Sequence, residues 1–168
     1  MTKFWLLLFA SLCTLAPAVK AEVVAGDSLG VGAGMASGVA SVAKVSASIT
    51  NGVAQRQLGR LSSGTLVYLF LGTNNVASNT APSGAVRSIL NVARRQGLRL
   101  VWVGPPCMTS RRLAHFVPQF DASLGAIVRG SGFRYVSLYR AEHCRLERSS
   151  DGVHFTMSGY RSVWNMIQ

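Results

Sequence analysis

The sequence predicts an α/β fold built on a parallel sheet, as one domain that follows an N-terminal leader. Short apolar runs alternate with segments whose apolar residues recur at helical spacing, a pattern typical of parallel strands covered by helices. Two of these runs, at residues 23–25 and 65–71, stop abruptly at a glycine, as buried strands do at a sheet edge. Residues 22–168 suffice for a single hydrophobic core and are too few for a second domain.

The first 21 residues have the layout of a secretory signal peptide. Lys3 precedes an apolar run that continues to about Ala16, and small residues follow up to Ala21. The run is too short to span a bilayer comfortably as a helix. We expect cleavage after Ala21, or alternatively after Ala18, so that the protein is exported as a periplasmic or secreted domain. A retained membrane anchor is the other interpretation.

The chain is strongly basic, with a formal net charge of +11 at pH 7. Loss of the leader would lower this charge to +9, because it removes two lysines and no acidic residue. The arginines are scattered rather than clustered, and no zinc-binding spacing occurs, so we expect no nucleic-acid partner. The charge instead suits attraction to an anionic envelope surface, with a merely solvated basic surface as the alternative.

The cysteine count points to an intramolecular bond. Cleavage of the leader would remove Cys13 and leave Cys107 and Cys144, and an even number of cysteines in an oxidising compartment favours a disulfide. Both would emerge at the carboxyl edge of a parallel sheet, where the bond could tether the loop after the last strand. Two unpaired thiols are the alternative, since sequence does not give the distance between them.

The histidines and carboxylates form no cluster with the spacing of a metal site. We therefore expect no metal and no cofactor, and we interpret His115 and His143 as surface or loop residues.

The segment between the first two strands has three expected parts. The glycine-rich residues 30–38 are interpreted as a loop that either packs closely against the sheet or is mobile. Residues 44–49 are predicted to form a short strand, which ends at the turn Asn51-Gly52. Residues 53–61 are predicted to form a short helix or an irregular segment.

The rest of the chain continues the alternation of helix and strand. The predicted elements are a helix between Pro82 and Gly97, a strand at 98–103, a helix around 120–128, a strand at 133–138 and a helix after His154. Thr156 is the expected N-cap of the last helix, whose aromatic residues should lie in the core.

Three short motifs carry groups suited to acyl transfer. The first strand ends at Gly26-Asp27-Ser28-Leu29, which places a hydroxyl at the carboxyl edge of the sheet, where ligands bind in open α/β folds. The second ends at Gly72-Thr73-Asn74, and Asp151-Gly152-Val153-His154 sets a carboxylate three residues before an imidazole. Each motif on its own could equally be a turn, because Gly, Asp, Ser and Asn are common turn residues.

In this order, the three motifs resemble the GDSL or SGNH hydrolase family of esterases and lipases, over roughly residues 22–160. Gly52 matches the remaining motif glycine of that family. The resemblance implies a three-layer α/β sandwich with a parallel sheet, the flavodoxin-like SGNH hydrolase fold. It also implies an oxyanion hole formed by the backbone N–H groups of Ser28 and Gly52 and the side-chain amide of Asn74. Asn75 departs from the family, which usually has aspartate there.

The motif residues have the groups of a Ser-His-Asp triad. A serine hydroxyl attacks an ester at neutral pH only if a base removes its proton, and His154 is the candidate base for Ser28. Asp151 can bond the other ring nitrogen of His154 from within one turn, which fixes the tautomer and stabilises the imidazolium. A turn carboxylate and a surface histidine are the structural alternatives. Asp27 is expected to be structural.

The leading hypothesis is an exported serine esterase or acetylesterase. A chain too short to include a cap over the site should have a shallow, open cleft, which suits esters carried on O-acetylated saccharide or peptidoglycan as well as small esters. A cell-wall lytic enzyme on the same fold is a second hypothesis, although cleavage of sugar linkages normally needs two carboxylates. A non-catalytic envelope-binding protein is the third. We expect a monomer.

Overall fold

The computed structural model describes residues 21–110 and 112–168. The predicted signal peptide thus lies outside the described residues, apart from Ala21. Within the described part, no helix has the length and apolar character needed to cross a membrane.

The centre of the molecule is a four-stranded parallel sheet with the strands in chain order. The strands are β1 (Glu22–Gly26), β2 (Leu66–Phe70), β3 (Arg99–Pro106) and β4 (Arg134–Leu138). The middle of the sheet is almost wholly buried, so its strands are continuous apolar runs, as expected for parallel strands covered on both faces. Four of the predicted strands are therefore confirmed, and β3 extends three residues beyond its predicted end.

Helices cover both faces of the sheet and complete a three-layer α/β sandwich. They are α1 (Ser28–Ser37), α2 (Val53–Leu58), α3 (Ser83–Arg95), α4 (Val117–Gly130), α5 (Ala141–Cys144) and α6 (Met157–Ile167). One core cluster joins the sheet to α2, α3 and α4, and a second joins it to α1 and α6. The predicted fold class is correct.

The glycine-rich segment after the first strand is a helix, so its interpretation as a loop is wrong. Glycine disfavours helices by about 1 kcal/mol per residue relative to alanine, but tertiary packing outweighs this here. A Cβ on Gly32 would overlap the ring of Tyr160, and one on Gly34 would lie 2.7 Å from Ser41. The small residues therefore let α1 approach its neighbours closely, and Asp27 caps its first turn.

The strand predicted at residues 44–49 is also wrong. The extended segment lies just before it: Val24 pairs with Ser41 at the outer edge of β1, and Val42 donates to the carbonyl of Val24. Beyond this edge the chain turns at Ser46, which has a positive φ of 66°. The alternating apolar residues at 44–49 belong to a loop, in which Ile49 is completely buried.

The later elements agree with their predictions. Helix α3 lies between Pro82 and Gly97, and α6 begins after Thr156, whose hydroxyl accepts from the N–H of Gly159 at 3.2 Å. His143 differs from its prediction as a surface or loop residue. It lies buried in α5, where its Nδ1 is 2.9 Å from the carbonyl oxygen of Ser137.

The predicted disulfide is present in the structure. Cys107 follows β3 and Cys144 ends α5, and their Cα atoms are 5.3 Å apart. The bond joins the end of β3 to the segment that precedes the Asp151 loop, as expected from the topology.

Candidate active site

The turn that presents Ser28 is held by backbone geometry and by a buried glutamine. Gly26 ends β1 with a φ of +113°, and a Cβ there would overlap the carbonyl of Phe70, so only glycine fits. The side chain of Gln57 accepts from the N–H of Gly26 at 2.9 Å and donates to its carbonyl at 3.0 Å. Ser28 then begins α1 at the carboxyl edge of the sheet.

Ser28, His154 and Asp151 form one hydrogen-bonded chain. Nε2 of His154 lies 2.8 Å from Oγ of Ser28, and Nδ1 lies 2.5 Å from Oδ2 of Asp151. An ionised carboxylate only accepts, so Nδ1 carries the ring proton and Nε2 of the neutral ring accepts from the serine hydroxyl. The fold thus brings Ser28 into contact with a histidine and an aspartate that lie more than 120 residues later in the sequence.

The carboxylate of Asp151 is held in its ionised form. Partial desolvation opposes this, but the hydrogen bonds from the ring of His154 and from the backbone N–H groups of Val153 and His154 lower the pKa of Asp151 well below its usual range. Both N–H groups donate to Oδ1 at 2.9 Å. Asp151 is therefore charged at any pH near neutrality, and it can stabilise the positive charge that develops on the ring when His154 takes the serine proton.

Neighbouring residues that the sequence did not single out support the Asp151 loop. Nη1 of Arg148 donates to the carbonyl of Val153 at 3.1 Å, and the guanidinium lies 4.0 Å from the ring centroid of Phe155. Burial lowers the pKa of Arg148 to about 10. The N–H of Thr109, beyond β3, donates to the carbonyl of Gly152 at 2.9 Å. The loop is thus closed across its own ends by Arg148 and fastened to the segment after β3 by Thr109.

Asp27, between Gly26 and Ser28, is completely buried. Its Oδ1 accepts from the N–H of Leu29 at 2.9 Å, and the hydroxyl of Thr73 lies nearby. Burial raises the pKa of Asp27 to about 7, against the opposing effects of the Leu29 N–H and the charge of His154. The structural role predicted for Asp27 agrees with its contact at the start of α1.

Asn74 lies on the short 3₁₀ helix Thr73–Ser78 that follows β2. Its exposed side chain donates one amide hydrogen to the carbonyl of Ala47 at 2.8 Å, which leaves the second hydrogen for a substrate. Asn75, at the position where the family usually has aspartate, accepts from the N–H of Ile49 at 2.9 Å. An amide oxygen can replace a carboxylate in that contact, so the departure preserves the tie between the two loops.

Gly52 lies directly before α2 with a φ of +73°, a conformation that favours glycine. The loop that leads to it is the one bonded by Asn74 and Asn75. The segment that ends at Gly52 is thus tied to the helix of Asn74, and α2, which follows Gly52, is tied through Gln57 to Gly26, two residues before Ser28. That Ser28, Gly52 and Asn74 supply the three donors of an oxyanion hole stays a prediction.

The fold and these contacts define a class: a three-layer α/β protein with a serine, a histidine and an aspartate aligned at the carboxyl edge of a parallel sheet. The chain belongs to the GDSL-like lipase/acylhydrolase family, whose sequence profile matches residues 24–162. This match confirms the resemblance based on the three motifs. No curated protein matches the chain.

Several solved structures share the fold. A GDSL-like lipase from Bacteroides thetaiotaomicron matches with a TM-score of 0.64 and 19% identity over 88% of this chain and 85% of that chain. A member of the lipolytic G-D-S-L family from Veillonella parvula matches with a TM-score of 0.64 and 15% identity over 87% of this chain and 94% of that chain. An acetylxylan esterase from Geobacillus stearothermophilus matches with a TM-score of 0.65 and 10% identity over 88% of this chain and 91% of that chain. At these identities the likeness shows the fold alone.

Proposed function

We propose that this protein is an exported serine esterase that hydrolyses acyl or acetyl esters with Ser28, His154 and Asp151 as its catalytic residues. The observation that carries the proposal is the continuous hydrogen-bonded chain from Oγ of Ser28 through His154 to Asp151. Membership of an acylhydrolase family supports the same reaction.

The geometry accommodates both halves of a double-displacement reaction. Oγ of Ser28 attacks the ester carbonyl while its proton moves to Nε2 of His154, and the imidazolium then gives that proton to the departing alcohol. The acyl group remains on Ser28 as an ester. Water attacks this ester with His154 again as the base, and the carboxylic acid leaves as Ser28 recovers its proton.

Developing negative charge on the carbonyl oxygen needs donors that are already in place. The backbone N–H of Ser28 lies at the start of α1, where N–H groups have no partner within the helix. The second amide hydrogen of Asn74 and the N–H of Gly52 are the other proposed donors. Loss of one such donor typically lowers the rate by about 10²–10³.

The openness of the site suits substrates larger than a small ester. The side chain of His154 is 36% exposed and that of Asp151 is 49% exposed. An acetyl group on a polysaccharide or on peptidoglycan could reach Ser28 without entering a deep pocket. The fold shared with an acetylxylan esterase from Geobacillus stearothermophilus is consistent with this substrate class.

For the lytic alternative, the part of the chain that the structure describes offers no suitable second carboxylate near Ser28. Asp151 is bonded to His154, and Asp27 is completely buried. A glycosidase mechanism requires an acid and a base or nucleophile that both face the sugar linkage. The export proposed here is supported by the Cys107–Cys144 disulfide, because such bonds persist in oxidising compartments.

Hydrolysis of p-nitrophenyl acetate tests the proposal. Ser28→Ala should abolish turnover while the thermal unfolding temperature stays near that of the wild type, because only one half-buried hydroxyl at the start of α1 is removed. Ser88→Ala, at an exposed position on α3, is the matched control and should retain full activity. Near-normal turnover by Ser28→Ala would contradict the assignment of the nucleophile.

A further inference from the structure

Part of the chain carries basic residues with no acidic residue between them. From Asp27 to Asp121 the intervening sequence has no aspartate or glutamate, whereas lysine and arginine continue to occur, including those on α2 and α3. Among the residues that the structure describes, the one ion pair joins Asp151 and His154. The cations of this segment are therefore not neutralised by contacts within the described protein, and they are available to an anion.

A cavity of about 250 Å³ brings three of these cations together. It is lined by Val42, Lys44, Val53, Arg56, Gln57 and Arg60. Arg56 lies on α2 and Arg60 in the turn just after it, and both are exposed. The amide of Gln57 is already bonded to Gly26 through both of its polar atoms. A ligand in the cavity would thus meet two guanidinium groups and one ammonium group.

The cavity adjoins the candidate active site. The N–H of Lys44 donates to the carbonyl of Gly26 at 2.9 Å, only two residues before Ser28. Nη1 of Arg56 lies 3.1 Å from the point that a Cβ on Gly52 would occupy. The guanidinium therefore stands beside the glycine whose N–H is the proposed oxyanion donor. The cavity is thus joined to the Ser28 turn through Gly26 and to the proposed oxyanion hole through Gly52.

We propose that Lys44, Arg56 and Arg60 form a subsite for an anionic group, a carboxylate or a phosphate, carried by the ester substrate. The inference rests on the proposed ester hydrolysis and adds a substrate class to it. Guanidinium groups bind such oxyanions through paired hydrogen bonds, and an ammonium group adds a further charge. The subsite favours anionic esters over neutral esters of similar shape, and salt weakens this preference because the cations are exposed.

Matched ester pairs test the subsite on either side of the scissile bond. The acyl-side pair is mono-p-nitrophenyl glutarate and its methyl ester, and the alcohol-side pair is p-acetoxybenzoate and its methyl ester. The ratio of kcat/KM values within each pair reports the charge preference. In the wild type at least one pair should favour the anionic member, and this preference should fall with added sodium chloride.

Variants locate the preference. Arg56→Gln should reduce the charge ratio about two- to fivefold, the effect expected from losing one exposed charge contact. Arg161→Gln removes an equal charge from an exposed position on α6, in the helical layer on the opposite face of the sheet from α2, and should keep the wild-type ratio. An unchanged ratio in Arg56→Gln, or no preference in either pair, would overturn the proposal.

A binding measurement separates the subsite from the catalytic assignment. Inorganic phosphate should shift the NMR amide signals of residues 42–60 in Ser28→Ala, with weaker binding when Arg56→Gln is added. If phosphate binds there but no ester is hydrolysed by the wild type, the anion site stands and the esterase proposal fails. If esters are hydrolysed without charge preference and these signals do not move, the subsite fails and the esterase proposal stands.

Discussion

Replacing Asp27 with asparagine should change how the stability of this protein depends on pH. Asp27 is completely buried, and burial raises its pKa from 3.8 to about 7, despite the Leu29 N–H and the nearby charge of His154. Asparagine has nearly the same shape and keeps an oxygen that can accept from the N–H of Leu29, as Asp27 does at 2.9 Å. It cannot ionise, so the substitution removes the titration and preserves the cap.

The sign and the size of the effect follow from the raised pKa. A carboxyl that holds its proton more tightly when folded contributes stability that is fully present below about pH 4 and is lost as the pH rises through about 7. Each pKa unit corresponds to about 1.4 kcal/mol, so the full loss is about 4 kcal/mol. Of this stability, about 1.4 kcal/mol, equivalent to one pKa unit, is already lost by pH 5. The wild type should lose about 2 to 3 kcal/mol more by pH 8.

Urea unfolding at pH 5 and pH 8 measures this difference. The free energy of unfolding of Asp27→Asn relative to the wild type should rise by about 2 to 3 kcal/mol between the two pH values. Glu142→Gln removes an exposed carboxylate from α5 and controls for the change in net charge. If the wild type and Asp27→Asn differ by the same amount at both pH values, the buried carboxyl is not the group that ionises, and the reasoning is refuted.

Two further substitutions and one chemical treatment have defined outcomes. Asn74→Ala should lower kcat for p-nitrophenyl acetate by about 10²–10³ with little change in thermal stability, and an unchanged kcat would remove Asn74 from the oxyanion hole. Reduction of the Cys107–Cys144 bond should lower the free energy of unfolding by about 4 kcal/mol in the chain-entropy model, measured by denaturant unfolding with and without reductant. Equal stability in both conditions would exclude that contribution. Gly32→Ala should lower the melting temperature because its methyl group meets the ring of Tyr160, whereas Gly84→Ala, where a Cβ meets open space, should not.

The candidate triad was predictable because its residues occupy short motifs at the ends of regular elements. Ser28 follows a buried strand, and Asp151 and His154 are close enough in sequence to contact each other through one turn. A parallel sheet brings the ends of its strands to one edge, so the meeting of Ser28 with His154 follows from the fold class. The structure adds the distances and the direction of each hydrogen bond.

The wrong predictions share a physical cause. The glycines of α1 have low helix propensity, and only the positions of Tyr160 and Ser41 explain why small residues are placed in a helix. Of the alternating apolar residues at 44–49, Ala47 and Ile49 are buried by a loop whereas Val45 is exposed, and this partial burial imitates the period of a strand. In both cases tertiary contacts outweigh the local pattern.

Supporting residues could not be found from local sequence at all. Arg148 lies three residues before Asp151, but its stacking on Phe155 depends on the pairing of two segments across the loop. The position of Arg56 beside Gly52 depends equally on the turn before α2. Single arginines in a basic chain have no distinguishing pattern, so these contacts require the structure.

Covalent labelling by a fluorophosphonate tests the central claim most directly, because it reports the activated nucleophile itself. Peptide mass spectrometry should locate one label on Ser28 in the wild type. His154→Ala should greatly slow the labelling, because the base that removes the serine proton is lost. A folded wild type that stays unlabelled, a label on another residue, or equally fast labelling of His154→Ala would contradict the account of a Ser28–His154–Asp151 triad.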